Sequence, residues 1–194
     1  MKLEAQAVNT EDKVRKEVLL KVSFDANQTS DALDWEFLPN SRPAKGDHAG
    51  GILFKAGEML HVEIDGLGSH TSGFRSFEVV DCCLLTNPQI IQIGGKLPLK
   101  YAAPSPFCDI DRAVYVLPNK FEVVSCNEPH PSRPHAHRVK QVWQGELEVA
   151  KPQGRWELSF IVTVRLDFGD ARPAELRVFS FDPESEVGEG TEPN

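Results

Sequence analysis

The chain has no clustered run of lysine or arginine, no apolar stretch approaching a membrane span, no C-x-x-C pair and no G-x-S-x-G elbow. The first absence argues against duplex nucleic acid, because no basic stripe exists to neutralise phosphates. The second argues against a membrane-spanning helix, and the N-terminal residues Met1-Lys2-Leu3-Glu4-Ala5 lack the apolar core of a secretory signal. Four cysteines at 82, 83, 108 and 126 have neither zinc-finger nor redox spacing, so reduced thiols in a cytoplasmic protein are the expectation. Cys82 and Cys83, adjacent on an extended segment, point to opposite faces and are badly placed to bond to each other. The missing elbow removes the usual context of a hydrolase serine. Ser69-His70 does not replace it, since adjacent residues rarely act as nucleophile and base for each other.

An amphipathic helix is missing too. Alternation takes its place, most clearly in Trp156 to Phe168, where all seven even positions are apolar and five of the six odd positions between them are polar. That is the period of a strand with one buried and one wet face. Turn residues at Gly169–Pro173 follow, and Leu176 to Phe181 returns as the second arm of a hairpin. Shorter alternating runs recur every eight to twelve residues or so. They include Val18–Phe24, Leu33–Phe37, Leu60–Ile64, Val114–Leu117 and Val139–Trp143, while Phe77–Leu85 is apolar on both faces and suggests a central strand. The expectation is an all-β protein, an antiparallel β-sandwich of about ten strands, with a jelly roll or closed barrel as the alternative.

The 194 residues carry a net charge of −8, of which the four glutamates of residues 183–194 supply half. With no apolar periodicity at either end, the expected organisation is a flexible tail over 1–13, one domain over 14–182 and a flexible acidic tail over 183–194. In the last strand Leu176 and Val178 fall in one register and Phe179 and Phe181 in the other. A β-bulge near Val178-Phe179, or burial on both faces, would reconcile them.

The order of elements resembles the bacterial inclusion-body proteins called the AidA or PixA family. The resemblance rests on Ile52-Leu53-Phe54-Lys55-Ala56-Gly57-Glu58-Met59-Leu60-His61-Val62, on the long penultimate strand, and on the ending Phe179-Ser180-Phe181-Asp182-Pro183. The family usually ends in Trp before Asp-Pro; here Phe181 holds that place. The resemblance implies a soluble β-sandwich that self-associates or accumulates, and it supplies no catalytic residues.

Several constellations are candidates for chemistry. Half of the six histidines lie within His130-Pro131-Ser132-Arg133-Pro134-His135-Ala136-His137. His135 and His137 project to one side of an extended segment and His130 can fold back, a possible set for a divalent metal. The plainer reading is a solvated loop with one ring packed on Trp143. H-x-H also opens the cupin motif, but Gln141 and Val142 stand where its carboxylate belongs. Asp109 and Asp111 offer a second carboxylate pair, more simply a solvated turn beside Arg112. Trp35, Trp143 and Trp156 all occupy apolar phases, so core packing is expected and a platform for a sugar or other small molecule is the alternative. Finally, Ile161 interrupts the polar face of the long strand. With Phe179 and Phe181 beside it, the outer face of the hairpin reads as the interface of a homodimer. The function expected is binding or self-assembly without catalysis and without a cofactor; the alternative is a metal-binding module or metal-dependent enzyme built on the histidines.

Overall fold

In the computed structural model, which describes residues 16–39, 52–91, 100–118, 120–124, 136–181 and 184–187, the period-two segments become strands. They are β1 (Glu17–Asp25), β2 (Asp34–Leu38), β3 (Ile52–Phe54), β4 (Met59–Gly68), β5 (Ser76–Pro88), β6 (Ile90–Ile91) and β7 (Lys100–Tyr101). After these come β8 (Val114–Val116), β9 (Phe121–Val124), β10 (His137–Trp143), β11 (Leu147–Glu148), β12 (Gly154–Asp167), β13 (Glu175–Phe181) and β14 (Glu184–Val187). Among the described residues, helical structure is confined to two single 3-10 turns. No helix there is long and apolar enough to cross a membrane.

The strands form two large sheets and a two-stranded ribbon, β6-β7. Sheet 1 runs β2-β1-β4-β10-β9 with β11 on β4, and sheet 2 runs β3-β14-β12-β5-β8 with β13 on β12. The expectation of purely antiparallel pairing is corrected in two places: β1 pairs β4 and β14 pairs β3 in parallel. Parallel neighbours need a long connection, and both pairs are separated by enough chain to provide one.

The even residues of β12, from Trp156 to Leu166, are all buried, as the alternation predicts. They meet Leu20, Val22 and Phe24 of β1 and Leu60, Val62 and Ile64 of β4 in one core cluster. Its centre is aromatic: Phe24 stacks on Phe179 at 4.6 Å between ring centres and meets Phe77 edge-on at 5.2 Å. Gly66 makes this possible, because a Cβ there would sit 2.7 Å from the Phe77 ring. Trp143 and Trp156 are inside, and each indole N–H donates to a carbonyl, of Pro118 at 3.2 Å and Ala103 at 2.7 Å.

Three further expectations are corrected. β5 is not buried on both faces. Phe77, Val79, Cys82 and Leu84 point inward, and an extra residue, Val80, breaks the register opposite Thr163 and Val164. β13 carries no bulge: its ladder to β12 is continuous from Glu175 to Phe181. The phase conflict is settled by sending Phe179 and Phe181 inward and leaving Leu176 and Val178 60% and 53% exposed. The larger rings remove more apolar surface from water than a leucine and a valine would, so they take the core. The domain boundary at 182 is also too early, since Glu184–Val187 pairs with Gly154–Glu157 of β12 and with β3. The segments 1–15 and 188–194 lie outside the described residues.

Candidate functional site

Trp35 is the tryptophan that the fold leaves half in solvent. It lies opposite Val22 in the β1-β2 pairing, on the core-facing side of sheet 1, but β2 is the edge strand and nothing flanks it further out among the described residues. Its ring is 40% exposed, against 4% and 1% for Trp143 and Trp156. Its inner side stacks on Phe181 at 5.4 Å with the planes 22° apart, and Phe181 stacks in turn on Phe160 at 5.6 Å. Phe37 meets Trp35 edge-on at 6.0 Å. The ring is therefore held in place by two aromatic contacts, with Phe160 backing Phe181, and part of its surface stays open.

A groove of about 530 Å³ opens beside it, lined by Trp35, Phe181 and Ile161 together with Asp31, Ser159 and Ser180. Two aromatic rings and a β-branched side chain supply the apolar wall, and two hydroxyls and a carboxylate supply the polar one. Burying most of a small ligand against such a lining, with a few fixed polar partners, is the usual design of a binding site. The segment 31–33 is itself fixed against β13. Ser180 N–H donates to the Asp31 carbonyl at 2.9 Å and Leu33 N–H to the Ser180 carbonyl at 3.0 Å. A second concavity, lined by Glu17, Leu19, Leu38, Pro39 and His61 on the outer face of sheet 1, has fewer polar groups to orient a ligand.

Of the residues expected at an interface, Ile161 does face outward, but Phe179 is fully buried and Phe181 is 8% exposed. The outer-face patch of the three is thus corrected. Ile161 and Phe181 meet instead at the groove, and Phe179 lies behind it in the core. Among the metal candidates, His130 and His135 lie outside the described residues. His137 opens β10 with its Nε2 2.9 Å from the Arg75 carbonyl and its ring 6.0 Å from Phe74, not on Trp143. Among the described residues no group of three or more histidine, cysteine or acidic side chains converges as a metal site. Asp109 sits in a turn at φ +59°, and Asp111 and Arg112 are exposed and 3.8 Å apart. Ser69 caps the turn His70–Ser72 by accepting from the Ser72 N–H. Cys82 points inward and Cys83 outward, and burial pushes both thiols up, helped by the neighbouring Asp81.

The sequence reading missed an ion network on the outer side of sheet 1. Arg138 of β10 grips both carboxylate oxygens of Asp65, Nε at 3.0 Å and Nη2 at 2.6 Å. Lys140 pairs with Glu63 at 3.1 Å, while Lys21 pairs with Glu36 at 3.0 Å and approaches Asp65 at 3.9 Å. Asp65 is fully buried and Arg138 and Glu63 nearly so. Among the described residues three cations answer three carboxylates, so these charges are spent on one another. In the sequence, Glu63 and Asp65 read only as the polar phase of β4. The partners lie on other strands, and nothing local announces them.

No protein-family model matches the chain, and no curated protein matches it. Among solved structures it is similar to the inclusion body protein PixA of Burkholderia cenocepacia J2315, at 12% identity and a TM-score of 0.36. The similarity covers 92% of this chain and 99% of that one. This is the family that the Ile52–Val62 and Phe179–Pro183 motifs resemble.

Proposed function

We propose that the chain is a β-sandwich that works by binding, and that its ligand sits in the Trp35 groove. The observation carrying this reading is the half-exposed Trp35 ring, fixed by Phe181 and Phe37 beside Ser159, Ser180 and Asp31. A stacked aromatic surface accepts the apolar face of a ring, and hydroxyl and carboxylate groups at its side accept or donate to ring substituents. The ligand class that matches is a small neutral ring bearing hydroxyl groups, carbohydrate included.

The test is a titration of the purified protein with a panel of neutral mono- and disaccharides, read by tryptophan fluorescence and calorimetry. Trp35 dominates any ligand-induced fluorescence change, because the other two tryptophans are enclosed. Binding of a panel member that is lost in Trp35→Ala, with Trp143 and Trp156 intact, supports the reading. Binding that Trp35→Ala leaves unchanged overturns the site, and a panel without any binder overturns the ligand class.

A further inference from the structure

We infer that this chain forms a two-fold homodimer by pairing β8 with β8 of a second copy. In the β5-β8 ladder, Cys83 faces Val116, Leu84 faces Tyr115 and Leu85 faces Val114. Thr86 N–H donates to the Ala113 carbonyl at 2.7 Å and Leu117 N–H to the Cys82 carbonyl at 2.9 Å. In an antiparallel ladder these bonds alternate along the strand, so 113, 115 and 117 direct their backbone groups at β5. Val114 and Val116 direct theirs away from it, and β8 has no neighbour on that side among the described residues. Their side chains are 47% and 58% exposed.

An open strand edge is a template for another strand unless something guards it. Three of the other described edges are better guarded: Asp31–Leu33 bonds along β13 at Ser180, β2 runs into Pro39, and β9 carries the exposed Glu122 with Lys120 beside it. Nothing within Val114-Tyr115-Val116 is charged or a proline.

The occupant is identified by symmetry and charge. A two-fold axis at Tyr115 sets Val114 of one copy opposite Val116 of the other, and both residues hold outward-directed N–H and C=O groups. The pairing therefore closes both edges with one register, as an isologous contact requires. It also joins Ile161, Cys83 and Val116 of one copy to Val114 and Leu85 of the other in one apolar row across the outer face. Arg112 precedes β8, whereas Asp81 lies on β5 beyond its other end, and both are exposed. Antiparallel pairing exchanges the ends, so each Arg112 approaches the Asp81 of the other copy. The contact is short, which puts the dimer among weak, concentration-dependent associations. The inference does not rest on the Trp35 groove.

Sedimentation of the full chain from low micromolar to millimolar concentration tests it. The wild type shifts from monomer to dimer across that range. The double variant Val114→Lys, Val116→Lys weakens dimerisation by at least about tenfold with its melting temperature kept, since both side chains are already solvated. Asp81→Arg weakens the dimer, and adding Arg112→Asp restores it. If the lysine variant does not fold, the charge exchange decides, because neither of its residues lies in β8. Leu176→Lys, on the far side of sheet 2, leaves the dimer intact. A wild type that stays monomeric overturns the inference. So does a dimer that survives the lysine pair, ignores the charge exchange, or is broken equally by Leu176→Lys.

Discussion

The two large sheets share one core and turn different outer faces to their surroundings. On the outer side of sheet 1, Lys21, Glu63, Asp65, Arg138 and Lys140 lie close enough to pair, and Met59 and Leu67 on the same side of β4 are only 4% exposed. On the outer side of sheet 2, Val114, Val116, Leu176 and Val178 are each about half exposed or more. The charged groups there stay in solvent instead of being enclosed, as in the Arg165–Glu78 pair at 2.8 Å, both of whose side chains are more than half exposed. Polar alternation in a strand therefore has two outcomes. In sheet 1 the polar side chains are consumed by one another and contribute to the fold. In sheet 2 the outward side chains remain available; the β8 edge belongs to that sheet, and the Trp35 groove lies where β12 and β13 meet the β2 edge of sheet 1.

The largest effect expected from breaking this contrast comes at Asp65. Asp65→Ala removes the bidentate acceptor of a nearly buried guanidinium, and a loss of about 3–5 kcal/mol in denaturant unfolding is expected. Replacing both partners, Asp65→Leu with Arg138→Met, recovers a large part of that loss, because no unanswered charge remains. A double variant as unstable as the sum of the single ones would show that the pair is not a unit.

An intermediate effect is expected where the two sheets meet at their edge. Trp35→Ala removes one stacked and one edge-on contact from a half-exposed ring. Unfolding should register about 1–2 kcal/mol, less than the ~3–5 kcal/mol of a fully buried aromatic such as Phe160. The smallest effect belongs to sheet 2. Leu176→Thr and Val178→Thr, both on strand positions in solvent, should each change stability by less than about 0.5 kcal/mol. A larger loss would mean that this face is covered in the folded protein.

Much of this was legible in the sequence where the signal is local. The thirteen-residue alternation of β12 identified its inward residues without exception, and the opposed directions of Cys82 and Cys83 followed from the same period. The direction of β13 did not, because Leu176-Arg177-Val178-Phe179-Ser180-Phe181 holds apolar residues in both phases, and ring size decided between them. β14 was missed for a different reason. Glu-Ser-Glu-Val has little to bury, and it is a strand because the first turn of the β12 ladder, Gly154–Glu157, offers it an edge. The parallel pairings and the Arg138–Asp65 bond join residues far apart in the chain, so periodicity carries no trace of them. Trp35 was weighed as a ligand platform, but its apolar phase argued for the core. The better clue was its setting, a five-residue strand with Asp34 and Glu36 on either side, which marks an edge.

The claim that sheet 1 is closed on its outer side and sheet 2 open is tested most directly by hydroxyl-radical footprinting of the native protein, read residue by residue. Methionine sulfur is among the most readily oxidised side-chain groups, so Met59 is a stringent reporter for sheet 1. The account predicts that Met59 stays protected until the protein unfolds, while Leu176 and Val178 of sheet 2 are modified in the folded state. Met59 oxidised in the native protein as fast as in the unfolded one would contradict it.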